Sequence, residues 1–203
     1  MEIVKINDFT GALNTGEPTT IADNQLSIAS NVYYDNQGIL STRKGIANFG
    51  NPIAGVTSIT NIYSTVLPDG TKHLLAFAGT DIYKYSEVTN DWTSLKSGLT
   101  AGTRFSFLTF LSNVYITNGV DTVMYYNGTV IQDLPAVSKV AYLASDKGVI
   151  YGAGLSTDPS MLLYTNAGDE LTGGDFANTQ LVDPTGNGTI KSLHIFNGLP
   201  VVG

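Results

Sequence analysis

One layout of short, strand-like segments recurs along residues 57–203 of this chain. Each copy begins with a run of apolar and β-branched residues, followed by a tight polar turn, a second run, and shorter runs before the next copy. Val, Ile, Tyr, Phe and Thr dominate the runs, and pairs that contain glycine separate them at hairpin spacing. No long stripe with a helical period interrupts them. The pattern predicts an all-β fold.

About four copies can be traced, beginning near Thr57, Arg104, Val140 and Ile190, and the fourth extends over roughly two strands. Copies of about 35 to 50 residues, each with up to four short strands, match the blade of a β-propeller better than an immunoglobulin-like sandwich, which has no such self-similarity. Propellers generally need at least about four blades to close. We therefore expect an incomplete ring of four-stranded blades, completed by a continuation of a longer protein or by another subunit, with the longer protein favoured.

The last copy, residues 190–203, is expected to present an unpaired strand edge and exposed apolar side chains. Such an edge is an aggregation hazard unless another segment covers it. Ile195 and Phe196 are therefore candidate interface residues.

Residues 1–50 lack the repeat and are predicted to form an N-terminal arm, with residues 51–203 forming the blades. Asp23 is placed to cap a short helix that runs through Asn31. Residues 32–34 and 39–42 are expected to pair as a hairpin, because Gly38 can adopt the positive φ that such a loop needs.

Four arm residues are candidates for docking on neighbours. Phe9 and Leu13 are apolar residues in a segment too short to form its own core, so they should be buried against the propeller or against another chain. Arg43 and Lys44 form the densest positive spot in the chain. They either bridge to a carboxylate of a neighbouring subunit through charge-assisted hydrogen bonds or belong to an exposed hairpin strand.

The order of motifs in the arm resembles the N-terminal segment of bacteriophage tail proteins, in particular the nozzle, or tail tubular protein B, of short-tailed phages. The matching motifs are Phe9-Thr10-Gly11-Ala12-Leu13-Asn14-Thr15, Pro18, Asp23-Asn24-Gln25, Asn31-Val32, and Gly38 to Gly45 in the pattern G-x-L-x-x-R-x-G. In that family such a segment precedes a β-propeller, and rings of the protein extend the tail below the portal and adaptor. The resemblance covers about a quarter of the chain.

The resemblance implies a structural subunit of a tail or neck ring, located in the virion and made in the host cytoplasm. Its partners would be further copies of itself and the tail, adaptor or portal proteins, and its ring would form part of the conduit for DNA ejection. The formal net charge of −7 is spread without acidic or basic blocks. This argues against a protein that grips nucleic acid, which needs clustered Lys and Arg, but not against passage of DNA without sequence-specific binding.

The sequence also excludes several kinds of cysteine-based site and gives no sign of a membrane span. The chain has no cysteine, which excludes disulfides, thiolate catalysis and cysteine-based metal sites. No run of about 18 apolar residues is present to span a membrane, and the first residues lack the pattern of a signal peptide.

Catalytic candidates are few: His73, His194, the carboxylates Asp169, Glu170 and Asp175, and the loop of residues 183–188. Both histidines lie in apolar strand patterns, where a packed, hydrogen-bonded histidine is the usual case. The three carboxylates resemble a glycosidase pair only weakly. The loop has one carboxylate and lacks the alternating ligands of a calcium-binding loop. We therefore expect no enzyme activity, no cofactor and no metal.

A glycan-binding propeller, an adhesin or lectin for host attachment, is the alternative function. It would use Trp92 and exposed tyrosines to stack on sugars. Aromatic residues at strand positions more often pack between blades, and the relevant positions are Tyr83, Tyr85, Tyr115, Tyr125 and Tyr126.

Overall fold

The structure is a computed structural model of the 203-residue chain. It describes residues 11–203 apart from residues 12, 15, 18, 19, 23, 27, 29, 35–39, 44, 46, 184, 186 and 187. The chain divides into two compact units, Met1–Phe49 and Gly50–Gly203. Each unit is described by itself.

The first unit contains the hairpin that the sequence predicts. Strand β1 (Val32–Tyr34) pairs antiparallel with β2 (Leu40–Thr42), and Val32 lies opposite Thr42. The backbone N–H of Arg43 donates to the carbonyl of Asn31 at 2.8 Å, which extends the pairing by one step beyond the strands.

The predicted helix from Asp23 to Asn31 is not found among the described residues of that segment, and Asp23 itself lies outside them. Leu26 instead forms an isolated parallel bridge with Leu13, and Asn14 N–H donates to the carbonyl of Leu26 at 2.8 Å. The backbone groups of this segment thus bond to a distant segment rather than to a following helical turn.

The described residues of the second unit form three four-stranded sheets and one two-stranded sheet. The first sheet consists of β3 (Ile59–Val66), β4 (Lys72–Ala78), β5 (Asp81–Ser86) and β6 (Asp91–Lys96). The second sheet consists of β7 (Ser106–Phe110), β8 (Asn113–Thr117), β9 (Met124–Tyr126) and β10 (Ile131–Asp133). The third sheet consists of β11 (Tyr142–Asp146), β12 (Val149–Ala153), β13 (Met161–Tyr164) and β14 (Asn178–Leu181). The two-stranded sheet, here called the last hairpin, consists of β15 (Leu193–Phe196) and β16 (Leu199–Val202).

Each four-stranded sheet is an antiparallel meander whose strands follow one another in chain order. The connecting turns explain this order. In the third sheet, Lys147 and Gly148 have φ values of 48° and 79°, and in the last hairpin, Asn197 and Gly198 have φ values of 54° and 74°. Two successive residues with positive φ form the type I′ turn, whose twist matches that of the strands it joins. The all-β prediction is confirmed.

Apolar clusters hold consecutive sheets together, with one cluster for each pair of neighbours. The cluster shared by the first and second sheets contains Leu67, Leu75, Phe77, Ile82, Leu99, Phe105, Val114, Ile116, Met124 and Tyr126. The cluster shared by the second and third sheets contains Phe110, Tyr115, Val123, Val137, Val140, Leu143, Ile150, Leu163 and Leu171, the last of which begins a short 3-10 turn (Leu171–Gly173). The cluster shared by the third sheet and the last hairpin contains Ala144, Ala153, Leu162, Ile190 and Leu193. The sheets therefore pack face to face.

Polar side chains also connect the first strands of neighbouring sheets. The Asn61 side chain donates to the carbonyl of Phe105 at 3.2 Å and accepts from its N–H at 3.1 Å. The Thr109 hydroxyl lies 2.8 Å from the Tyr63 hydroxyl. The N–H of Leu143 donates to Ser106 Oγ at 3.1 Å. These bonds satisfy buried polar groups and set β3, β7 and β11 side by side.

A second kind of link fastens the segment before a sheet to a loop within that sheet. Asp121 accepts hydrogen bonds from Thr100 N at 2.9 Å and Thr100 Oγ1 at 2.7 Å. Asp175 likewise accepts from Ser138 N at 2.9 Å and Ser138 Oγ at 2.6 Å. Although burial acts to raise it, the bonds from Thr100 and Asn118 hold the pKa of Asp121 below its usual range.

The close packing of Gly154 gives a stability prediction. Gly154 has a φ of +77°, and a Cβ there would lie 2.9 Å from Ala141 Cβ. Gly168 has a φ of +87° but has open space around such a Cβ, so it serves as the matched control. We expect Gly168→Ala to lower the free energy of unfolding by about 1 to 2 kcal/mol through the left-handed backbone alone. Gly154→Ala should cost about 1 to 3 kcal/mol more because of the overpacking.

The measurement is equilibrium unfolding in urea for the two variants and the parent protein. Equal losses in the two variants would contradict the packing at Gly154.

Candidate functional site

The two candidate interface residues of the last hairpin lie on opposite faces of β15. Ile195 is partly buried against the apolar cluster shared with the third sheet. Phe196 is 72% exposed. Phe196 pairs with Leu199 across the hairpin, and His194 pairs with the nearby Val201. Leu199 and Val201 are also exposed. We call Phe196, Leu199 and Val201 the hairpin face. Of the two candidates, only Phe196 is free to contact a partner.

A second exposed apolar face lies on β3 of the first sheet. Asn61, Tyr63 and Thr65 point toward the second sheet and bond to it. The alternate residues Ile62, Ser64 and Val66 point the opposite way, and the two apolar ones, Ile62 and Val66, are 61% and 56% exposed. This face was not predicted from the sequence. The alternation of residues along β3 shows that the strand has two different faces. It does not show which of the two another sheet covers.

The arm candidates are only partly described. Leu13 is 46% exposed and takes part in the bridge to Leu26. The Arg43 side chain is exposed. Phe9 and Lys44 lie outside the described residues. The docking role of all four stays a prediction.

The aromatic residues considered for glycan stacking are mostly packed. Tyr115 and Tyr126 are fully buried. Tyr85 and Trp92 form a tilted pair with ring centroids 5.2 Å apart. The backbone of Gly50 lies against this pair, because a Cβ there would be 2.9 Å from the Tyr85 ring and 3.0 Å from Trp92 Nε1. Tyr115 and Tyr126 are thus core residues, whereas Tyr85 and Trp92 are half-buried and pack against each other.

The carboxylates considered as a glycosidase pair are engaged in hydrogen bonds within the protein. Glu170 accepts from Asn113 Nδ2 at 3.1 Å and from Thr172 Oγ1 at 2.9 Å. Asp169 accepts from Asn166 Nδ2 at 3.0 Å, and Asp175 accepts from Ser138. Burial, together with the charge of Glu170, raises the pKa of Tyr115, whose hydroxyl donates to that carboxylate at 3.4 Å. Each of the three carboxylates, Asp169, Glu170 and Asp175, thus has a hydrogen-bond partner within the protein.

The loop of residues 183–188 forms internal bonds through its single carboxylate. Asp183 accepts from Thr185 N at 2.9 Å, Thr185 Oγ1 at 2.7 Å and Gly188 N at 2.7 Å. In the described part of the chain, no group of three or more His, Asp or Glu side chains is placed to hold a metal ion. Nor do the described residues include a helix long and apolar enough to cross a membrane.

The two histidines differ sharply in environment. His73 is 7% exposed and hydrogen-bonded at both ring nitrogens, in agreement with the packed histidine that the sequence indicates. Its Nε2 lies 2.7 Å from Thr71 Oγ1, and its Nδ1 lies 3.1 Å from the Tyr126 hydroxyl. His194 is exposed on the last hairpin, so the packed environment expected for it is not observed.

Protons in the His73 cluster are ordered by their partners. The Thr71 hydroxyl donates to Asp69 Oδ1 at 2.6 Å, so its oxygen accepts the proton on His73 Nε2. The Tyr126 hydroxyl, which lies 3.1 Å from Nδ1, donates to the carbonyl of Gly128. Burial, and next the positive charge of Lys84, lower the pKa of His73 below its ordinary value, against the opposing charge of Asp69.

Comparison with protein-family models and with curated proteins finds no match.

The lowered pKa of His73 predicts how stability depends on pH. The folded state binds fewer protons at this site than the unfolded state, in which the pKa is about 6.5. The contribution of His73 is therefore complete above pH ~6.5 and is lost as the pH falls from there toward the folded-state pKa. We expect the free energy of unfolding to decrease between neutral and mildly acidic pH, by at most about 1.4 kcal/mol per pH unit.

Urea unfolding across this range checks the prediction. His73→Gln should flatten the slope, and His194→Gln, at an exposed position, should keep it. An unchanged slope in His73→Gln would assign the pH dependence to another group.

Proposed function

We propose that this protein is a structural subunit of a bacteriophage virion, part of a nozzle-like tail or neck ring through which DNA passes during ejection. The motif order of the arm supports this proposal, because that order precedes a propeller in the nozzle family. The sheet stacking is the observation that carries it. Consecutive four-stranded meanders pack face to face through apolar clusters, as the blades of a propeller do.

In this proposal the three four-stranded sheets are blades, and the last hairpin is the inner half of a fourth. The first strands support the assignment. β7 lies next to β11, and β11 lies next to β15. Asn61 and Thr109 connect β3 to the second sheet in the same way. In a propeller, the first strand of each blade lines the central axis, which would place these four strands around one channel.

The two exposed apolar faces are proposed as contacts with further sheets of the ring. Ile62 and Val66 on β3 and the hairpin face at the other side of the stack have the same character as the faces buried between sheets. Large exposed apolar patches commonly mark interaction sites. A continuation of the polypeptide or a neighbouring subunit would supply the covering sheet.

The charge is compatible with a wall past which DNA moves. The formal net charge is −7, and basic residues do not cluster in the sequence. A surface without clustered Lys and Arg does not retain the phosphate backbone. The glycan-binding alternative has less support, because Tyr85, Trp92, Tyr115 and Tyr126 are engaged in packing.

Imaging of the particle tests the proposal directly. In a cryo-electron microscopy map of virions that carry this sequence, we expect density for the chain in a ring coaxial with the portal. A map of the complete tail and neck without such density would refute the proposal. A purified protein that is monomeric and binds defined glycans on an array would favour the alternative.

Removal of the arm tests how the subunit docks. Deletion of residues 1–49 should leave the β-strand signal in far-ultraviolet circular dichroism largely intact, because Gly50–Gly203 is a compact unit by itself. We expect incorporation into particles to be abolished, as measured by immunoblotting of purified virions from a complementation assay.

The exposed residue Val88, in the turn between β5 and β6, offers a control, since Val88→Ser should incorporate normally. Normal incorporation of the deletion variant would show that the arm is not the docking element.

A further inference from the structure

A cleft lies where three neighbouring first strands begin. Three triplets line it: residues 104–106 at the start of β7, residues 141–143 at the start of β11, and residues 192–194 at the start of β15. Its volume is about 390 Å³. Sites for small organic ligands generally measure about 300 to 1,000 Å³, so the cleft suits a ligand of modest size.

Most polar side chains in the cleft have no hydrogen-bond partner among the described residues; Ser106, which accepts from the N–H of Leu143, is the exception. Within the described part of the chain, the side chains of Arg104, Tyr142, Ser192 and His194 make no hydrogen bond or ion pair. No Asp or Glu lines the cleft. Arg104 thus lies beside a concave surface with no carboxylate partner among the described residues, in a protein whose formal net charge is −7.

Apolar side chains provide the rest of the lining. Phe105, Leu143 and Leu193 belong to the cores between sheets, and each presents part of its surface to the cleft. An apolar floor with a few converging polar groups is the usual composition of a small-molecule site. The apolar groups favour a ligand with a hydrocarbon or ring body, and the donors favour a negatively charged group on it.

We propose that this cleft binds a small organic anion, a phosphate or carboxylate group carried on an apolar or aromatic body. Arg104 binds the anionic group, because a guanidinium presents paired N–H donors that match the oxygens of a carboxylate or phosphate. Tyr142 and His194 add donors at the rim, and Phe105 and Leu193 contact the body of the ligand.

A small ligand fits better than a polynucleotide. Nucleic-acid binding depends on several cations that neutralise several phosphates along a path. The cleft has one arginine, and its three triplets line a single concave site rather than an extended stripe. Recognition of a single anionic group is what this arrangement supports.

Titrations with simple probes test the proposal on the full chain. Phenyl phosphate, benzoate and neutral benzyl alcohol are added to ¹⁵N-labelled protein, and amide shifts are followed by NMR. Phenyl phosphate, benzoate or both should give saturable shifts at residues 104–106, 141–143 and 192–194, with binding about tenfold or more tighter than that of benzyl alcohol. The stronger of the two anions identifies the group that the cleft prefers.

Two arginine variants form a matched pair. Arg104→Gln should weaken binding of the anionic probes about tenfold or more, since a charge-assisted hydrogen bond is lost. Arg43→Gln removes the only other arginine of the chain and should leave the affinity unchanged. Thermal melting confirms that both variants are folded. Tyr142→Phe, which keeps the ring but removes the hydroxyl, should weaken binding severalfold and is a second test if Arg104→Gln does not fold.

Three results would overturn the proposal. The first is the absence of saturable shifts with either anion at millimolar concentrations. The second is equal affinity in Arg104→Gln and the parent protein. The third is tighter binding of a single-stranded oligonucleotide at the same amides with a steep salt dependence, which would assign the cleft to nucleic acid.

Discussion

Apolar packing between the faces of consecutive sheets is the constraint on which the rest of the second unit depends. A lone four-stranded meander would leave one face of Leu, Ile, Val and Phe side chains in water, and each sheet avoids this by covering the next. Leu75, Phe77 and Ile82 meet Val114 and Ile116 in this way. Because the clusters follow one another along the stack, the position of each sheet is set by its neighbours.

Polar contacts then fix the register of that stack. Apolar packing alone tolerates sliding, whereas a hydrogen bond holds two atoms within about 3 Å of each other. Asn61 bonds to both the N–H and the C=O of Phe105, and Asp121 holds the segment before the second sheet through Thr100. His73 adds a chain of bonds that runs from the exposed Asp69 to the buried Tyr126. These groups would be costly to bury without partners, so they penalise other arrangements of the sheets.

Much of the fold could be read from local patterns, and the failures have a common cause. The β1–β2 hairpin and the turn at Asn197 and Gly198 follow from turn chemistry, which acts within a few residues. The helix predicted after Asp23 is not observed in the described residues, because Leu26 forms a bridge with Leu13. Helix propensity depends only on neighbouring residues and does not take such a partner into account. The cleft with Arg104 was also missed, since its three triplets are separated by many residues in the chain.

The sequence by itself determined the strand chemistry, the hairpin turns and the repeated layout, because each of these depends on neighbours in the chain. Alternation also divided every strand into two faces. Only the tertiary structure decided which face is covered. Ile195 and Phe196 are adjacent apolar residues, yet Ile195 packs on the third sheet and Phe196 is exposed. Burial depends on the sheet that stacks against a face, and that sheet comes from residues remote in sequence.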